Sequence, residues 1–75
     1  MKAVIEIVTE VGRTRQAYER LKNIEGVKEV YMVTGHCDII ACVEAPDFKA
    51  LSELILSKVH DVKGIVSTET LVCVE

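Results

Sequence analysis

The feature that most constrains this chain is an echo between its halves: Ile24-Glu25-Gly26-Val27 returns as Val62-Lys63-Gly64-Ile65. Each copy follows apolar residues at helical spacing and precedes a strand-forming run, so each Gly marks a helix-to-strand junction. Ahead of the first junction, residues 3 to 9 (Ala-Val-Ile-Glu-Ile-Val-Thr) form a compact strand run that Gly12 closes. Ala17, Leu21 and Ile24, with Tyr18 beside them and Arg13, Arg15, Glu19, Arg20 and Lys22 elsewhere on the wheel, predict an amphipathic helix. Val27 to Thr34 and Asp38 to Ala45 predict two strands. Pro46 and Asp47 then open a second helix carrying Phe48, Leu51, Leu54, Ile55 and Val59, and Ile65 to Val74 make the last strand.

The order is therefore β-α-β-β-α-β, a split βαβ pair. Right-handed crossovers put strands one and three in the centre, strands two and four at the edges, and both helices on one face. The expected fold is α+β and ferredoxin-like, a single four-stranded antiparallel sheet, with residues 1–75 forming one domain. A sheet with one face in water should alternate apolar and polar residues. Val4-Ile5, Ile7-Val8, Tyr31-Met32-Val33, Ile39-Ile40-Ala41-Cys42-Val43 and Leu71-Val72-Cys73-Val74 do not. No helix remains to cover the second face, so a second copy of the chain is the economical cover, and dimerisation through the sheet is expected. Burying roughly five or six more side chains contributes on the order of 10 kcal/mol before association costs. A chain of 75 residues is also near the size at which one core needs outside support.

Composition removes several classes. The three cysteines are not in CxxC pairs, and Cys42 and Cys73 fall inside apolar runs, so a disulfide framework is not expected. The apolar start is broken by Glu6 and lacks a signal-peptide cleavage pattern, and Met1 stands almost at the first strand, leaving no room for a second module. No segment is long enough to span a membrane. The reading is a cytoplasmic protein without a membrane partner. A net charge of −3 with scattered Lys and Arg lacks the footprint of direct nucleic-acid binding. The central strands carry no aromatics for base stacking, and the loop after strand one, Thr9-Glu10-Val11-Gly12-Arg13, has no cysteine pair for a soft metal.

Chemistry concentrates at one hairpin tip, Gly35-His36-Cys37-Asp38. His36, Cys37 and Asp38 are all metal-capable, but consecutive residues on a strand tip point apart. Cys37 with His36 as base is a nucleophile reading that lacks a third, orienting group. Gly35 and Asp38 are also ordinary turn formers. In a fourth reading the turn is a binding rim, with N–H groups for a carboxylate and Asp38 for an ammonium. No cofactor is expected. His60, near a helix end, reads as a dipole partner or a solvated residue. Arg13 is a helix-face residue within reach of a ligand carboxylate, and Glu44 and Glu69 read as surface or edge charges.

The succession of a helix followed by Gly-Val, then Thr34-Gly35-His36-Cys37-Asp38-Ile39-Ile40, Asp47-Phe48-x-x-Leu51 and Gly64-Ile65-Val66-Ser67-Thr68-Glu69-Thr70 resembles the effector-binding (RAM) domain of Lrp/AsnC transcriptional regulators. The likeness covers essentially the whole chain and is to the stand-alone form, without a DNA-binding helix-turn-helix. It implies a non-catalytic regulatory domain, sheet-to-sheet dimers, further assembly into rings, and association with an Lrp/AsnC-type regulator. It also implies an amino-acid effector held by Gly35, His36, Cys37 and Asp38 and by the hydroxyls of Ser67, Thr68 and Thr70. The third turn position is commonly aromatic in that family and is Cys37 here. Two other classes stay open at this point: a small dimeric α+β barrel enzyme using His36 or Cys37, and an assembly scaffold with a degenerate site.

Overall fold

A computed structural model describes all 75 residues. The chain runs β1 (Lys2–Thr9), α1 (Thr14–Lys22), β2 (Val27–Met32), β3 (Ile39–Glu44), α2 (Phe48–Glu53) with a π-helical continuation (Leu54–Val59), and β4 (Ile65–Val72). The sheet order is β2-β3-β1-β4, antiparallel throughout, as the crossover argument requires. No helix is long and apolar enough to cross a membrane.

Burial alternates strictly along the central strands. Ala3, Ile5, Ile7 and Thr9 of β1 and Ile39, Ala41 and Val43 of β3 are buried, and the helices close over them with Ala17, Leu21, Leu51, Leu54 and Val59. The strands stop sooner than the apolar runs do. The last one loses its partner: the Cys73 N–H donates to the Lys2 carbonyl at 2.9 Å, and β1 offers nothing beyond.

The second helix begins as expected, with Asp47 Oδ1 accepting the Ala50 N–H at 2.8 Å. Its stripe is re-phased, however. Phe48 is 62% exposed, whereas Leu51, Leu54, Val59 and Val62 are buried. Regular α spacing from Leu51 and Leu54 would bring Lys58 to the core; the wide π turn, marked by the His60 N–H donating to the Ile55 carbonyl at 2.9 Å, brings Val59 instead.

Gly26 and Gly64, the two halves of the echo, both have positive φ, 98° and 93°. A Cβ on Gly64 would lie 2.8 Å from Arg13 Cβ, close to backbone, whereas one on Gly26 would meet the far end of the Leu54 side chain, Cδ2, at 2.9 Å. Gly64→Ala is therefore expected to cost about 1–2 kcal/mol in denaturant unfolding, from strain and crowding together, and Gly26→Ala less.

The face away from the helices is set by register. Val4 is paired with Cys42 and Leu71, Glu6 with Ile40 and Glu69, and Tyr31 with Ile40. An apolar surface of Val4, Val8, Ile40, Cys42, Leu71 and Tyr31 is thus left half-buried or exposed, interrupted by two glutamates directly opposite each other.

Candidate functional site

The hairpin tip is built by Gly35, at φ 127°, and closed by the Val33 N–H donating to the Asp38 carbonyl at 2.9 Å. Asp38 is turned inward. Its Oδ2 accepts the Thr9 backbone N–H at 2.8 Å and the Thr9 hydroxyl at 3.2 Å. With the Thr9 proton spent on Asp38, the Thr14 hydroxyl donates to Thr9 Oγ1 at 2.6 Å. One carboxylate therefore ties the turn to the end of β1 and to the first residue of α1.

The next two side chains go elsewhere. His36 Nε2 lies 3.1 Å from Glu6 Oε2, with the His36 side chain 78% exposed and that of Glu6 only 23%. Cys37 is 5% exposed, and burial, then the charges of Glu6 and Asp38, push its thiol pKa up. His36, Cys37 and Asp38 thus do not converge on one point as metal ligands would. A thiol held protonated at neutral pH is also a poor nucleophile, which disfavours the catalytic reading of Cys37. With titrating thiol reagents, exposed Cys73 is expected to react first and Cys37 last. Because the folded pKa is raised, the stabilisation from burying neutral Cys37 is full below the ordinary thiol range and is lost as pH rises through the folded value.

His36 and Cys37 meet β4 across a cavity of about 180 Å³ lined by Glu6, Val8, His36, Cys37, Ser67, Thr68 and Glu69. Four of the residues chosen from the sequence, His36, Cys37, Ser67 and Thr68, are brought together here. Three lie outside it. Gly35 shapes the turn, Asp38 is committed to Thr9, and Thr70, paired with Ile5 on the helix side, lines a separate apolar groove of about 310 Å³ with Phe48, Leu51, Ser52, Ile55, Leu56 and Val72. Glu6 and Glu69 were not among the sequence candidates. Their signal was their phase: Glu6 shares a face with Val4 and Val8, and Glu69 with Leu71. His60, read as a dipole partner or a solvated residue, is exposed at the helix end and has Nε2 2.9 Å from Thr68 Oγ1. Arg13 Nη1 donates to Gln16 Oε1 at 3.3 Å.

The family model described as the Lrp/AsnC ligand binding domain matches residues 2–75. The chain belongs to that family. A relative in Pyrococcus abyssi (strain GE5 / Orsay), an uncharacterised HTH-type transcriptional regulator, is 38% identical over 91% of this chain and 43% of its own length. The chain thus spans less than half of that regulator. Escherichia coli AsnC superposes with a TM-score of 0.93 at 28% identity, over 99% of this chain and 50% of that one. A Thermus thermophilus protein gives the same TM-score and identity, over 99% and 92%. The fold also matches a Neisseria meningitidis transcriptional regulator solved with L-Met, at TM-score 0.87 and 16% identity over 99% of this chain and 49% of that one. The Lrp/AsnC relatives are regulators of transcription.

Proposed function

We propose that this chain is a non-catalytic effector sensor whose ligand is a small amino acid. The observation that carries the reading is the convergence of His36 and Cys37 from the turn with Ser67 and Glu69 from β4 on one cavity of about 180 Å³. That space is below the range of drug-sized pockets and suits a ligand of amino-acid size. The L-Met complex of the Neisseria meningitidis regulator supports an amino acid as the class. Ser67 supplies a hydroxyl donor and acceptor, Cys37 forms the wall, and Glu6 and Glu69 offer carboxylates to an ammonium, whereas the Thr68 hydroxyl is held by His60 on the helix side of the strand.

Residues 1–75 act in this reading as one ligand-binding module of a cytoplasmic protein, without DNA-reading elements of their own. The signal passes through assembly: sheet-to-sheet dimers form over Val4, Ile40, Cys42 and Leu71, rings form from dimers, and the module associates with an Lrp/AsnC-type regulator. Thermal shift with the protein amino acids, one at a time, tests binding. A ligand at one hundred times its dissociation constant should add about 2.7 kcal/mol, and Ser67→Ala should reduce the shift. No shift with any amino acid, together with an intact assembly, would instead identify a scaffold with a degenerate site.

A further inference from the structure

Glu6 and Glu69 are direct partners in the β1–β4 ladder, side by side on the uncovered face. Like charges in that position destabilise a sheet. The Glu6 side chain is already only 23% exposed in a single chain, and neither glutamate has a Lys or Arg within ion-pair distance. The one cationic group in contact is His36, 3.1 Å from Glu6. An imidazole is also the one side chain that ordinarily changes charge near pH 6.5.

We infer that assembly through this face is proton-coupled: protonated His36 neutralises the Glu6–Glu69 pair when a second copy covers it, and deprotonation leaves two facing carboxylates without a cation. The inference rests on the sheet-to-sheet assembly proposed above. The groups facing His36 are Glu6 from β1, Glu69 from β4, and Cys37 and Asp38 from the turn. Burial pushes the Cys37 thiol pKa up, and Asp38 Oδ2 accepts from Thr9. Farther along the same face stand Lys2, Glu29 and Glu44. The sign follows from linkage. A state that favours protonated His36 holds its proton more tightly, so association is strongest below the imidazole range and weakens as pH rises through it.

Sedimentation equilibrium of the whole chain at about pH 5.5, 7 and 8.5 tests this. The dimer dissociation constant should rise roughly tenfold across the series, the equivalent of one unit of differential proton affinity summed over the two His36 of a dimer. His36→Ala should be flat with pH and as weak as the wild-type chain at the alkaline end. Glu69→Gln should tighten the dimer at the alkaline end and flatten the profile. His60→Gln should keep the full dependence, because His60 bonds Thr68 and not the glutamates. A wild-type dimer of constant affinity, or a dependence that follows His60, overturns proton coupling and leaves the assembly standing. A monomer at every pH overturns the assembly itself.

Discussion

Asp38→Ala is expected to lower folding stability by about 2–3 kcal/mol, measured by urea unfolding. The carboxylate accepts from both the Thr9 backbone N–H and the Thr9 hydroxyl, and Thr9 is 8% exposed. Truncation leaves a covered N–H without an acceptor and frees the Thr9 proton, so the link to Thr14 loosens as well. Asp38→Asn separates charge from geometry. The amide oxygen can still take the Thr9 N–H, and the loss should fall to about half, near the value of a neutral hydrogen bond. If Asp38 instead served chiefly to hold an effector ammonium, Asp38→Ala would weaken binding and leave unfolding unchanged. The variant therefore distinguishes a clamp from a contact, provided both quantities are measured.

The second large effect concerns the uncovered face. Val4 lies between Cys42 and Leu71 in the ladder, at the middle of the apolar surface. Val4→Glu should raise the dimer dissociation constant at least about a hundredfold, because an unpaired carboxylate would be carried into a covered interface beside Glu6 and Glu69. Sedimentation velocity at micromolar concentration reads the change. The helix-side core, Ile5 and Ile7 included, is untouched, so circular dichroism should report a folded chain. Full association of this variant would place the interface elsewhere.

The parts of the fold that the sequence discloses are those governed by short-range chemistry. Ala17 and Leu21 announce α1 by spacing, Asp47 announces α2 by its cap, and Gly26 and Gly64 mark the two returns into the sheet by needing positive φ. Apolar pairs such as Val4-Ile5 and Ile39-Ile40 already imply a sheet with two sticky faces. What stays hidden depends on register. Nothing local says that Glu6 will stand opposite Glu69, sixty-three residues away by their numbers. The direction of the Asp38 carboxylate is hidden for a related reason. The β1–β3 pairing ends at Ile7 and Ile39, and the Thr9 N–H, on the same side as the Ile7 carbonyl that accepts the Asp38 N–H, is left for the turn to satisfy. The candidate site divides the same way: the turn and the hydroxyl strand are legible as motifs, whereas the strand that carries the charge between them is legible only once the ladder is drawn.

The wide turn at Leu54–Val59 has a consequence for comparing this chain with its relatives by length. A π turn is an α turn holding one extra residue, so a relative with a one-residue gap opposite Leu54–Val59 need not lack a turn of helix. It can carry the same helix wound more tightly. The gap would move the residue in the place of Val59 out of the core and change the angle at which the chain reaches the position of His60. Alignment gaps in this stretch are then a record of winding, and they foretell which relatives can keep a histidine against the hydroxyl of Thr68.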